Sequence, residues 1–211
     1  MCSNYRPPTP DALLRLGRGL PGFEYHAEGY PERIGPFLAN EDSAVWRPGT
    51  FGLLPVWAPP TLARHTYNAR SETVAEKPSF GHAWKTRQLA IVPVQSFYEP
   101  NYESGKPVRW RIEREDQAVF GLAGIWEGRP GPNGDTWWSY SMLTINADAH
   151  PLMRRFHRPD DEKRSVVVLA DDAWDAWLNA RSETDVRSFL QLFDPGAFRT
   201  EADPKPGRTR M

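Results

Sequence analysis

The chain has a single cysteine, Cys2, so its fold must hold without an internal disulfide or a cysteine-ligated zinc. Stability has to come from apolar burial. Hydrophobic residues make up 39% and charged residues 25% of the 211 positions, enough for a core and too apolar for a disordered chain. That length suits one domain, expected over residues 1–195, with a tail over 196–211. The end of the tail, Glu201 to Met211, is rich in Pro and charge and is expected to stay disordered. No apolar run approaches the ~18 residues of a membrane span, and Met1-Cys2-Ser3-Asn4-Tyr5-Arg6 is not a signal peptide. A monomer in a reducing cytoplasm is expected, because an N-terminal thiol reacts only while reduced.

The pattern along the chain predicts short strands with peripheral helices. Thr9-Pro10-Asp11 opens a short helix that Gly17 stops. Residues 19 to 61 are rich in Gly and Pro and read as irregular, with short extended pieces. Leu89 to Val94 is a buried strand, and Val108 to Ile112 alternates with period two. Val119 to Trp126 and Trp137 to Ile145 are strands joined by a hairpin loop over Gly128 to Asp135. Ser165 to Leu169 is a further strand. Asp172 to Asn179 and Ser182 to Phe193 are helices, the second opened by a Ser182-x-x-Asp185 cap. The expected architecture is one α+β domain on a curved antiparallel, barrel-like sheet.

Five places can carry chemistry. Cys2 stands directly behind Met1, so loss of Met1 would leave an α-amine and a thiol on adjacent carbons. Their reference pKa values, about 7.7–8.0 and about 8.5, keep both partly reactive near neutrality. Such an aminothiol condenses with an aldehyde to an imine, and the sulfur then closes a thiazolidine ring. In Asn68-Ala69-Arg70-Ser71-Glu72, the Asn amide can orient a terminus or a sugar hydroxyl and the Arg suits phosphate. Glu99, between aromatics in Phe97-Tyr98-Glu99-Pro100, suits a general acid or base. His157 lies in a segment with His150 and Arg154, Arg155 and Arg158, suited to moving protons beside an anion. No ligand spacing supports a metal site, and no cofactor is expected. Finally, Arg64 to Arg87 holds five basic residues, Lys77 and Lys85 among them, against two acidic ones. Arg154 to Arg164 holds five against three. Interleaved with Trp57, Trp84 and Phe156, these segments suit a groove that neutralises phosphates and stacks bases, although the formal net charge is −1.

In order and spacing, these pieces resemble the SOS-response-associated peptidase family. The resemblance rests on Met1-Cys2, Asn68-Ala69-Arg70-Ser71-Glu72, Phe97-Tyr98-Glu99, Leu143-Thr144-Ile145-Asn146-Ala147, and His157 ahead of Val166-Val167-Val168-Leu169. It implies a protein that binds single-stranded DNA and crosslinks itself to abasic sites, with lyase-type chemistry and autoproteolytic loss of Met1. Carried over, Cys2 is the nucleophile and Asn68 orients the N-terminus and the opened sugar. Glu99 is the general acid/base, and His157 assists ring opening and imine chemistry. Arg70 contacts phosphate. The family often begins Met-Cys-Gly-Arg, and here Arg6 stands in for that arginine. Association with the nucleoid follows when DNA is bound. A different class, the N-terminal-nucleophile amidohydrolases, also exposes a cysteine after Met1 and would act without DNA chemistry.

Overall fold

The computed structural model describes residues 2–131 and 133–205. Within them the chain runs β1 (Asn4–Arg6), α1 (Pro10–Leu14), β2 (Ile34–Ala39), β3 (Asp42–Phe51), β4 (Asn68–Arg70), α2 (Gly81–Lys85), β5 (Leu89–Val94) and β6 (Ser96–Asn101). It continues through β7 (Val108–Arg114), β8 (Phe120–Pro130), β9 (Thr136–Asn146), β10 (Arg164–Val166), β11 (Val168–Leu169), α3 (Trp174–Leu178), α4 (Glu183–Ser188) and β12 (Phe198–Ala202). This is an α+β fold on a curved sheet, as the strand-rich pattern predicts.

Five strands close on themselves. β9 pairs with β3, β3 with β2, β2 with β5, β5 with β8, and β8 returns to β9. Closure removes the free edges that an open sheet exposes. β4 and β10 attach to β9, and β11 attaches to β8. After β5, one residue leads into β6 and a second sheet of order β1-β6-β7-β12.

Alternation along the strands sorts the core into two clusters. On β5, Ala90, Val92 and Val94 join the first, and Leu89 and Ile91 join the second. A strand buried on both faces reads as an unbroken apolar run, which is how Leu89 to Val94 is recognised. The first cluster also takes Tyr5, Phe97 and Ile112 from the small sheet, so it lies between the two sheets. The second takes Leu13, Trp84, Trp177 and Val186, so α1 to α4 cover the barrel's other face. The helix caps are local. Thr9 Oγ1 accepts from Ala12 N at 3.3 Å, and Ser182 and Asp185 form a capping box.

Four sequence expectations are corrected. Residues 19 to 61 contain the β2–β3 hairpin rather than irregular chain. Its glycines are sites of close approach. A methyl added at Gly49 would meet the Phe37 and Tyr140 rings at 2.7–2.8 Å, and one at Gly35 would meet the Tyr5 and Tyr140 hydroxyls, which bond to each other. Pro36 faces Pro48, so the two missing N–H donors fall on one rung of the ladder. The strand expected from Ser165 to Leu169 breaks at Val167 into β10 and β11. There the N–H bonds Leu143 O at 3.1 Å, and the carbonyl accepts from Ala123 N at 2.9 Å. The helix expected to reach Phe193 ends at Ser188, leaving Phe193 to pack on Phe198 with ring centroids 4.4 Å apart.

The fourth correction concerns the tail. Phe198 to Ala202 form β12, paired with β7 from Phe198↔Arg114 to Ala202↔Trp110. The ring of Phe198, 8% exposed, anchors it against Phe120 at 5.2 Å. The expected disorder of residues 206–211 lies outside the described residues. Phe198→Ala is expected to cost about 3–5 kcal/mol in urea unfolding, the range for emptying a buried aromatic site. An unchanged urea midpoint would return β12 to the status of a loose tail.

Candidate functional site

The site forms where the small sheet meets β4. β1 pairs with β6 through Asn4↔Tyr98 and Tyr5↔Phe97, which draws the N-terminus against the first core cluster. Cys2 is 1% exposed and its Sγ–H donates to Asn4 O at 3.4 Å. On β4, Asn68 Nδ2 donates to Cys2 O at 2.7 Å. Asn68 Oδ1 is buried with no hydrogen-bond partner among the described residues. An unmatched buried acceptor is costly, so it marks a place meant for a donor.

Glu99 lies on β6 two residues beyond Phe97, so alternation turns its carboxylate inward, where it is 2% exposed. His157 Nδ1 lies 3.5 Å from Glu99 Oε2, within ion-pair distance. His157 Nε2 is 3.1 Å from Arg164 O. A carbonyl only accepts, so Nε2 carries a hydrogen and Nδ1 is the nitrogen turned to Glu99. A proton on either Nδ1 or the carboxylate makes that contact attractive, whereas two lone pairs would repel. The pair's geometry is enforced. His157 has φ 64°, in the left-handed region, and its N–H bonds Pro100 O at 2.8 Å.

Burial pushes the Cys2 thiol up to about 12, and the Glu99 carboxylate adds to the shift. Desolvation, and then the charges of Cys2 and Glu99, raise the Tyr67 hydroxyl. Two useful residues escape motif reading. Tyr67 stands one residue before the quoted Asn68-Ala69-Arg70-Ser71-Glu72 segment. Arg164, with a side chain 3% exposed, bonds Glu72 through both oxygens at 2.9 and 2.8 Å and holds Thr144 O at 2.8 Å. Its backbone carbonyl positions His157. The signal for Arg164 is its place at the end of the basic run.

The six basic and aromatic residues read as a DNA groove do not all converge. Arg70 lies two residues past Asn68 on β4, exposed and bonded to Glu162 at 2.7 Å. Arg158 follows His157 and is exposed. Trp57, 64% exposed, sits in a loop tied to the Asn68 strand by Leu53 N to Thr66 O at 3.1 Å. Lys77 and Lys85 are exposed on the segment that buries Val74, Phe80 and Trp84 in the second cluster, on the helix-covered side. Arg6 is exposed beside Tyr98 and Arg109, on the face of the small sheet opposite Glu99.

Residues 20–202 match the family model for SOS response associated peptidase, SRAP. The chain belongs to this family. The abasic site processing protein YoqW of Bacillus subtilis (strain 168) is 31% identical over 149 residues, covering 68% of this SRAP chain and 62% of the relative. The abasic site processing protein HMCES of Gallus gallus is 24% identical, covering 86% and 60%. The chain thus spans about three fifths of the length of these curated relatives. A crystal structure of a Bordetella bronchiseptica protein superposes with TM-score 0.87 at 34% identity, covering 96% of this chain and 99% of that one. A Bacteroides thetaiotaomicron structure at TM-score 0.81 and 21% identity shows the same fold.

The buried thiol of this SRAP domain makes a measurable prediction. Its ordinary value of 9.0 rises to about 12 on folding, so the folded state holds the proton more tightly. The stabilisation is present below about pH 9 and is lost as pH rises toward 12, by up to about 1.4 kcal/mol per unit. Cys2→Ala is expected to flatten the fall of urea-unfolding free energy across this window. Identical slopes for the two proteins would refute the buried, protonated thiol.

Proposed function

We propose that this SRAP protein processes abasic sites in single-stranded DNA by crosslinking to them through Cys2 after Met1 is removed. The observation that carries the reading is the hydrogen-bonded chain around Cys2. Asn68 Nδ2 grips the Cys2 carbonyl while the buried Oδ1 keeps an open acceptor, and the Glu99–His157 pair lies within electrostatic reach of the thiol. In this reading, Asn68 Oδ1 accepts from the freed Cys2 amine and turns its lone pair toward an aldehyde.

The steps balance as follows. An abasic sugar equilibrates between a closed ring and an open aldehyde, and proton transfer by His157 and Glu99 speeds the opening. The Cys2 amine attacks C1′ and, after loss of water, gives an imine. The thiol then adds across the C=N bond, forming the S–C bond and passing its proton to nitrogen. A thiol held near 12 is protonated at neutral pH, so the amine attacks first and Glu99 relays the thiol proton to that nitrogen as the ring closes. Both nucleophiles sit on one residue, which supplies the proximity. Arg70 and Arg158 hold phosphates beside the lesion, and Trp57 offers a base-stacking surface.

Mature protein mixed with an oligonucleotide carrying one abasic site should give a slow-migrating band on a denaturing gel. Cys2→Ala should give none. Cys2→Ser should give a band only after borohydride trapping, since it can form the imine but not the ring. Glu99→Gln should slow band formation by about 10²-fold, the usual scale for general acid–base help. Intact mass reports whether Met1 has been removed in the same sample. A band that survives Cys2→Ala refutes the proposal.

A further inference from the structure

Glu162 occupies a set of donors suited to a phosphate. Its Oε2 accepts from Arg70 Nη1 at 2.7 Å. Its Oε1 accepts from Arg164 Nη1 at 2.7 Å and from Asn146 Nδ2 at 3.1 Å. Two guanidiniums and an amide thus converge on one carboxylate, the donor types that otherwise recognise phosphate oxygens. Hydrogen bonding from Arg164, with help from Asn146 and the charge of Arg70, holds this carboxyl below its ordinary range.

The two arginines are not equally committed. The Arg164 side chain is 3% exposed and already neutralised by the bidentate contact with Glu72. The Arg70 side chain is 47% exposed, and Glu162 is 35% exposed. With Arg70 and Arg164 set against Glu72 and Glu162, the cluster has no net charge to offer a DNA strand. Yet it stands between the two halves of the candidate site. Arg70 shares the side of β4 that carries Asn68, and the Arg164 carbonyl holds His157. The loop bearing Glu162 is pinned by Lys163 N to Asp148 Oδ1 at 2.8 Å and by Lys163 Nζ to Pro159 O at 3.2 Å. Rotation of the Glu162 side chain would release Arg70 while the loop stays in place, with loss of the Arg164 and Asn146 contacts.

We propose that Glu162 is an internal stand-in for a backbone phosphate of the bound strand. It holds Arg70 in the free protein and gives way when that phosphate arrives. The carboxylate lowers affinity for single strands in general and favours a strand whose phosphate falls on Arg70. This inference rests on the abasic-DNA reading above.

The test measures binding of a lesion-free, fluorescein-labelled single strand by anisotropy over a range of salt. Glu162→Gln keeps an acceptor for Asn146 and removes the charge. It should bind about two- to fivefold tighter at low salt, the scale of a lost exposed ion pair. Its plot of log affinity against log salt should steepen by about 0.7, one more single-strand phosphate contact. Arg70→Gln should cost more in the Glu162→Gln background than in wild type, because the arginine is then available. If Glu162→Gln loses its thermal midpoint, Glu162→Asp carries the test, since its shorter carboxylate retreats from Arg70 and should also bind more tightly than wild type. Equal or weaker binding by a folded variant, or an equal Arg70→Gln cost in both backgrounds, overturns the inference. Wild type that crosslinks normally while Glu162→Gln gains nothing sinks this inference alone. Wild type that neither binds nor crosslinks sinks the functional reading and this inference with it.

Discussion

The register of β9 is the constraint on which both the barrel and the site depend. β9 closes the barrel by pairing with β8 and β3, and the same strand carries β4 and β10. Asn68 is opposite Met142, Arg70 opposite Thr144, and Arg164 opposite Asn146. A one-residue slip would turn Asn68 away from Cys2 and move the Arg164 carbonyl away from His157, because side chains alternate faces along a strand. The inward positions of β9 carry Tyr140 and Met142 into the cluster between the sheets. Burial therefore sets the register, and the register places the site.

The second theme is how a nearly neutral chain arranges its charge. Its arginines are mostly paired. Arg109 contacts Glu28, Arg114 contacts Asp171, Arg164 contacts Glu72, and Arg70 contacts Glu162. The more exposed of these pairs, such as Arg70 with Glu162, add little stability. What they do here is offset the positive charge of those arginines among the described residues. The chemistry is concentrated in buried groups instead. Cys2 and the Asn68 amide form one buried pair, and the Glu99 carboxylate and the His157 imidazole another, where low dielectric strengthens each interaction.

Much of the fold was legible where periodicity survives in the residues themselves. Leu89 to Val94 and the hairpin of β8 and β9 follow from apolar runs and turn chemistry, although pairing continues to Pro130 and shortens the loop expected over Gly128 to Asp135. The β2–β3 hairpin was hidden because Gly35, Gly49, Pro36 and Pro48 are turn residues in any local reading. Their presence in a sheet is explained by Tyr5, Phe37 and Tyr140, which arrive from distant parts of the chain. β12 was hidden for a similar reason. Its charged residues are tolerable at a sheet edge, and its one anchor, Phe198, finds its pocket against Phe120 and Phe193 only after folding.

For the site, the residue types were legible and their meeting was not. A thiol at Cys2, an amide at Asn68, a carboxylate among aromatics at Glu99 and a histidine at 157 are legible from residue type alone. Tertiary structure decided which of them touch, because pairing across sheets brings together residues far apart in the chain. It placed Asn68 on the Cys2 carbonyl and Glu99 beside His157, and it raised the thiol by burial. It also divided the basic residues, leaving Arg70 and Arg158 next to the site and sending Arg6, Lys77 and Lys85 to other faces. Strand alternation and sheet pairing, not local composition, determine on which side of a sheet a charge emerges.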